Sequence, residues 1–191
     1  MLYRGHTRAV VSWALSWAAL LLFIAPGSTA ERYIISPQKS QLQFKAYSLL
    51  VNARGAFHRF AGEIVADARQ LNASSVRFVI DAASIDTANI KRDQHLRSED
   101  FLFIRQYPTI TFVSTAITPD GSSYMVQGTL QLRGVTQPLA IPITVQQRQD
   151  EIVVQGSVSL NRRDFGMQYN SVFNPVQNGV DVLFTIVGVK P

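Results

Sequence analysis

The chain has 191 residues, contains no cysteine and carries a formal net charge of +5. The lack of cysteine excludes disulfides, thiolate metal sites, thiol nucleophiles and the attachment of a lipid through a cysteine. The positive charge is mild and is not concentrated in a run of lysine or arginine, so nucleic acid is not expected as a partner.

The first thirty residues have the layout of a secretory signal peptide. Arg4 and Arg8 form a positively charged start, and the apolar run 9–25 follows them. Small residues then lead up to Ala30, after which we expect cleavage. An uncleaved membrane anchor is the alternative, but the apolar run is short for a membrane span. Residues 31–191 are therefore predicted to form a single periplasmic domain that has no stable membrane insertion after cleavage.

Beyond the signal peptide, strand-length segments alternate apolar and polar residues, as Ile110, Phe112 and Ala116 do on one face. Alternation with period two predicts strands that have one buried face and one face exposed to water. The predicted strands are 41–47, 55–67, 75–82, 109–118, 123–133, 137–147, 152–161 and 180–189. Such a series must pack two sheets together or close into a barrel. A barrel of about eight strands can hold one elongated small molecule.

Two segments interrupt the alternation. Residues 87–107 mix charged and apolar residues at helical spacing, which predicts a short helical excursion. Asp86 or Thr87 would cap its start, and Ser98 would cap a second short helix. Residues 161–179 are rich in Asn, Arg and Gly and predict a long loop that covers one end of the barrel. The side chains expected to cover that end are Phe165, Met167, Tyr169 and Phe173.

The inward-facing positions of the strands define a candidate binding surface. We expect the interior to be lined by Phe78, Phe112, Tyr124, Val126, Leu130, Leu139, Ile141, Ile143, Val158 and Phe184. Each methylene that moves from water into such a lumen gains roughly 0.8 kcal/mol, which favours a long-chain lipid as ligand. Gly128 and Gly156 fall on the same face, where glycine indicates either a bend at a barrel corner or room for a ligand.

Five short segments carry a family resemblance through their order and spacing. They are GAFHRFAG at 55–62, SIDT at 84–87 with RDQHLRSEDF at 92–101, YPTITFVST at 107–115, GTLQLRGVT at 128–136 and NRRDFGM at 161–167. Together they resemble the YceI-like family of secreted, lipocalin-like lipid-binding proteins. The resemblance implies an all-β, eight-stranded antiparallel barrel with a short helical excursion and an elongated apolar interior. It also implies a polyisoprenoid, an isoprenoid quinone or a fatty-acid derivative as ligand, and it transfers no catalytic residue.

Polar residues of the helical excursion are candidates for contact with the head group of the ligand. His95 and Arg92 would make that contact at the mouth of the pocket. The alternative is that His95 ties the excursion to the barrel and that Arg92 belongs to solvated ion pairs. His58 and His95 lie in separate elements and form no HxH or HExxH pattern, so neither a metal site nor a cofactor is predicted.

The sequence therefore predicts a periplasmic carrier or sequestering protein for a long-chain lipid. It contains no GxSxG motif, and its carboxylates fall mostly at strand ends or at outward positions, so no catalytic residue is predicted. Two alternatives stay open, namely an enzyme that acts on such a lipid and a solid-core barrel that serves as a scaffold. The sequence also leaves open whether the domain forms a homodimer.

Overall fold

The structure is a computed structural model that describes residues 30–191, so the predicted signal peptide lies, except for Ala30, outside the described residues. The strands are β1 (Glu31–Ile35), β2 (Gln41–Ser48), β3 (Ala53–Phe57), β4 (Phe60–Ala66), β5 (Ser75–Asp81), β6 (Ile85–Asp86), β7 (Thr109–Asp120), β8 (Ser123–Leu132), β9 (Val135–Gln147), β10 (Glu151–Asn161) and β11 (Val176–Val189). One α-helix, α1 (Ile90–Arg97), follows β6. Short 3-10 helices occur at Pro37–Lys39, Leu71–Ala73, Ala82–Ser84 and Arg162–Phe165.

Eight of the strands close an antiparallel barrel. Hydrogen-bonded neighbours follow the order β1, β4, β5, β7, β8, β9, β10 and β11. The ring closes where β11 pairs with β1, through Ile34 opposite Val189 and Ile35 opposite Gly188. Closure leaves no free edge in the ring. The prediction of an eight-stranded antiparallel barrel with a short helical excursion is confirmed.

The other three strands extend the barrel wall at the end where α1 lies. β2 pairs with β11, β3 with β2, and β6 with β3. Three pairs of consecutive strands therefore act as long strands with one interruption each, namely β1 with β2, β3 with β4, and β5 with β6. The interruptions are the 3-10 turn Pro37–Lys39, the dipeptide His58-Arg59 and the 3-10 turn Ala82–Ser84.

The sequence prediction of one continuous strand over 55–67 is wrong, because the chain leaves the sheet at His58. There the His58 N–H donates to the carbonyl of Ser84, 3.4 Å away. The break resets the alternation of side chains, so that Phe57 and Phe60 both pack against the core. The strands β1 and β6, of five and two residues, were not predicted.

The helical excursion is shorter than predicted and is capped by a different residue. The side-chain oxygen of Asn89 accepts a hydrogen bond from the Arg92 N–H and caps α1, so neither Asp86 nor Thr87 does so. Ser98 ends this helix and begins no second one, because the residues after it form turns. Within residues 30–191, no helix is long and apolar enough to cross a membrane.

Candidate functional site

The interior of the barrel contains an apolar cavity of about 350 Å³, lined by side chains from every strand of the ring. Small-molecule sites in proteins range from about 300 to 1,000 Å³, so the cavity is large enough to hold a ligand. The scaffold alternative requires an interior filled by side chains, and the interior of this barrel is not filled. A β-bulge between Ser114 and Ala116 of β7 shifts the alternation, so that Ile117 lines the cavity in place of Ala116.

All ten apolar side chains predicted to face the interior do line this cavity. They are Phe78, Phe112, Tyr124, Val126, Leu130, Leu139, Ile141, Ile143, Val158 and Phe184. The alternation located them because each strand of a barrel turns one face inward and the other outward. Their contact with a ligand stays a prediction.

Three inward-facing phenylalanine rings lie against glycines of the barrel wall. The pairs are Phe44 with Gly55, Phe112 with Gly128, and Phe184 with Gly156. A Cβ atom on Gly156 would stand 2.7 Å from Cζ of Phe184, the residue directly opposite on β11. On Gly128 it would stand 2.6 Å from Cζ of Phe112. The glycines thus make room for the protein's own rings, which lie along the wall and leave the centre of the barrel open.

A cluster of apolar and aromatic side chains closes the end of the barrel beside α1. Its buried members that line the cavity are Phe101, Leu102, Phe165 and Met167. His95 and Tyr169 pack edge to face beside them, with ring centroids 4.7 Å apart. We call these six residues the plug. The prediction that Phe165, Met167 and Tyr169 cover this end agrees with their positions, whereas Phe173 is 90% exposed and belongs to no cover.

Arg162 is the one cation in the cavity lining of residues 30–191 and is 2% exposed. Its Nε donates to the carbonyl of Gln177 at 3.0 Å, its Nη1 to that of Met167 at 2.5 Å, and its Nη2 to that of Val176 at 3.2 Å. Burial, and then the neighbouring Arg163, lower the pKa of this guanidinium from its ordinary value. Since all three acceptors lie in or beside the segment between the plug and β11, Arg162 fixes that segment in place.

Asp67 lines the opposite end of the cavity, directly after the last residue of β4. Its side chain is buried, and Oδ1 accepts hydrogen bonds from the N–H groups of Arg69 and Gln70, each at 2.9 Å. Asp67 was not predicted as a site residue, and Arg162 was not among the residues predicted to line the interior. The alternation of β10, with Val158 inward, continues to position 162 and would have located Arg162. Asp67 follows the end of its strand, where alternation gives no information.

The structure places Arg92 and His95 outside the cavity lining. The guanidinium of Arg92 donates to Oγ1 and to the carbonyl oxygen of Thr87, both at 2.8 Å. Nε2 of His95 lies 2.9 Å from Oδ2 of Asp100. The buried carboxylate of Asp93 accepts from the N–H and the hydroxyl of Thr87, at 2.9 and 2.6 Å. These bonds hold the helical excursion together, and a contact of Arg92 or His95 with a ligand head group stays a prediction.

The other histidine of residues 30–191, His58, lies on the outer surface. Nε2 of His58 is 3.3 Å from Oδ2 of Asp86. The N–H of Ala88, and then His58, lower the pKa of the Asp86 carboxyl from its ordinary value. Within residues 30–191 no three His, Asp or Glu side chains are grouped so that they could hold a metal ion.

The sequence is similar to that of known proteins over most of its length. The family model described as YceI-like domain matches residues 33–188. The UPF0312 protein of Pseudomonas aeruginosa is 32% identical over 181 residues, which cover 88% of this chain and 92% of that protein. Protein YceI of Escherichia coli O157:H7 is 30% identical over 186 residues, which cover 90% of this chain and 94% of that protein.

Solved structures share the fold. Burkholderia cenocepacia BcnA superposes with a TM-score of 0.75 at 26% identity, covering 80% of this chain and 98% of that chain. A polyisoprenoid binding domain from Saccharophagus degradans superposes with a TM-score of 0.67 at 19% identity, covering 83% of this chain and 98% of that chain. At that identity the second similarity concerns the fold alone. With the family match over residues 33–188, these findings show that the chain belongs to the YceI-like domain family.

Proposed function

We propose that the protein binds a long-chain apolar lipid in its barrel and acts as a carrier or sequestering protein. The observation that carries the proposal is the apolar cavity of about 350 Å³ inside the barrel, whose lining includes a single cation and a single carboxylate within residues 30–191. About ten methylenes buried there would supply roughly 8 kcal/mol before the costs of association are subtracted. Such a site favours an apolar chain over a polar metabolite of similar size.

The ligand class proposed is a polyisoprenoid, an isoprenoid quinone or a fatty-acid derivative. Support for the first comes from the structural neighbour that is named a polyisoprenoid binding domain. The three classes share a long apolar chain and differ in their head groups, so the cavity alone favours none of them. Arg162 and Asp67 lie at opposite ends of the cavity, so the two ends differ in charge and would discriminate between head groups.

The role proposed is non-enzymatic. In the described part of the chain, both histidines are engaged with carboxylates of their own surroundings, His58 with Asp86 and His95 with Asp100. Neither histidine lines the cavity in which the ligand would lie. We further propose that the protein acts in the periplasm after export, an assignment supported by the layout of residues 1–30.

Native mass spectrometry of protein purified gently from its host tests the proposal. We expect a mass higher than that of the polypeptide, and extraction should release a long-chain lipid. Val158→Phe adds a ring on the inner face of β10 and should abolish the adduct, because Val158 lines the cavity. Val153→Phe makes the same change on the outer face of that strand and should keep the adduct. Protein without lipid, or equal binding by both variants, would refute the proposal.

A second experiment, incubation of the lipid with purified protein, distinguishes binding from turnover. If the protein is a binder, the extracted lipid is chemically unchanged after incubation with the purified wild-type protein and with the His95→Ala variant. Consumption of the lipid that stops in the His95→Ala variant would favour an enzyme instead. Transfer of a fluorescent fatty acid between two vesicle populations then separates a carrier, which accelerates the transfer, from a sequestering protein, which slows it.

A further inference from the structure

The most exposed apolar side chains of the described residues gather at the plug end of the barrel. Six large apolar side chains there are more than 60% exposed, namely Leu49, Leu50, Val51, Ile90, Val172 and Phe173. The other exposed large hydrophobic residues lie on strands and are 37–48% exposed, namely Ile34, Val113 and Leu183. Single exposed hydrophobic residues are common, but a contiguous group marks an interaction surface.

Two loops present five of these side chains next to each other. The N–H of Leu49 donates to the carbonyl of Pro175 at 3.1 Å, and the N–H of Leu50 donates to Oδ1 of Asn174 at 2.9 Å. We call residues 49–52 and 170–175 the apolar rim. Because hydrogen bonds join its two halves, the rim presents one surface formed by segments that are far apart in the sequence.

The apolar rim contains no charged residue, but cations stand directly behind it. Lys45 and Arg54 are directly opposite each other on β2 and β3. Lys45 also neighbours Asp181 on β11, whereas Arg54 makes no ion pair within residues 30–191. This arrangement fits a bilayer, in which acyl chains lie beneath a layer of phosphate groups. The apolar side chains of the rim would contact the acyl chains, and the cation behind them would contact the phosphates. A protein partner would instead favour a polar border around the apolar centre.

The apolar rim is also continuous with the plug of the cavity. Tyr169 packs within the plug, and the next residues along the chain form the second half of the rim. Ala46 and Val176 lie beside the two loops and line the cavity. A bilayer that held the rim would therefore lie against the closed end of the lipid site.

We propose that the apolar rim docks the barrel on the surface of a lipid bilayer that carries anionic head groups, and that the long-chain ligand enters and leaves at the plug. The docking goes beyond the proposed function and does not depend on it. The entry of ligand at the plug rests on the proposed function.

A single tryptophan tests the docking. The two tryptophans of the chain, Trp13 and Trp17, precede the barrel, and all strands of the barrel lie within residues 31–189. In residues 31–191, Phe173→Trp therefore places one fluorophore on the rim, and Leu183→Trp places one on the outer wall of β11. With vesicles of phosphatidylethanolamine and phosphatidylglycerol, we expect a blue shift and quenching by brominated acyl chains for Phe173→Trp alone.

Loss of apolar surface should weaken the docking. The double variant Leu50→Ser/Phe173→Ser is expected to lower the partition coefficient for these vesicles by about tenfold or more, because it removes two of the largest exposed apolar side chains. Leu183→Ser is the matched control and should sediment with the vesicles like the wild type. Arg54→Gln should weaken binding to anionic vesicles and have little effect with phosphatidylcholine vesicles.

Three results would overturn the inference. The first is an unchanged emission of the Phe173→Trp variant with vesicles, and the second is equal sedimentation of the double variant and its control. The third is a blue shift that appears without vesicles as the protein concentration rises, since the rim would then bind a second copy of the chain. Val158→Phe should still dock although it holds no lipid, so failure of docking and failure of the proposed function are separable.

Discussion

The contact between Gly156 and the ring of Phe184 yields a sharp prediction about the cavity wall. In Gly156→Ala the new Cβ would stand 2.7 Å from Cζ of Phe184, 2.8 Å from the carbonyl oxygen of Pro142 and 3.1 Å from Cγ2 of Ile143. The carbonyl is held in the sheet, so the ring has to move toward the lumen. Overpacking of this kind costs about 1–3 kcal/mol. The lower entropy of alanine in the unfolded chain offsets about 0.4–1 kcal/mol of that cost.

We therefore expect Gly156→Ala to lose about 1–2 kcal/mol of unfolding free energy, measured as a shift of the urea midpoint at constant slope. For a domain of this size that corresponds to a fall in Tm of about 2–8 °C. The displaced ring should also reduce the amount of bound lipid.

Gly179→Ala is the matched control, because its Cβ would meet only Oγ of Ser159 at 4.0 Å and its φ lies outside the left-handed region. It should be neutral or slightly stabilising. Adding Phe184→Leu to Gly156→Ala should recover part of the loss, since the ring that obstructs the new methyl group is gone. Wild-type stability of Gly156→Ala, or strict additivity of the two changes, would refute the argument that the glycine accommodates the ring.

Three further predictions concern stability. Arg162→Met removes the donor to three carbonyls and should cost about 3 kcal/mol or more in urea unfolding, whereas Arg163→Met at the exposed neighbour should change stability by less than about 0.5 kcal/mol. The Tyr47 hydroxyl holds the pKa of the Asp181 carboxyl below its ordinary value of 3.8. The stability that the ionised Asp181 carboxylate adds is therefore complete above pH 3.8 and is lost as the pH falls below 3.8. Asp181→Asn should therefore flatten the acid side of a plot of urea midpoint against pH, and an unchanged profile would contradict the assignment. Asn89→Ala removes the cap of α1 and should cost about 1 kcal/mol, which urea unfolding detects; no loss would show that the cap is dispensable.

The wall of the barrel could be predicted almost completely from the sequence. Alternation depends on the two-residue repeat of a strand, and one apolar face per strand is what a closed barrel requires. The prediction from alternation failed where the backbone departs from the two-residue repeat of a strand. His58 leaves the sheet and bonds to Ser84, which is a neighbour in space and not in sequence. The bulge in β7 likewise places Ile117 on the inner face in place of Ala116, and no local sequence pattern indicates the bulge.

The sequence by itself determined that the chain is a β-barrel of the YceI-like family and which apolar side chains face its interior, because both follow from residues that are close along the chain. Only the tertiary structure decided how much space remains inside, since that depends on rings that lie against glycines in the wall. It also decided the two ends of the cavity and the apolar rim, where Leu50 meets Asn174 across 124 residues of sequence. Contacts at such separations depend on the closure of the barrel, which brings the β2–β3 loop and the segment before β11 together.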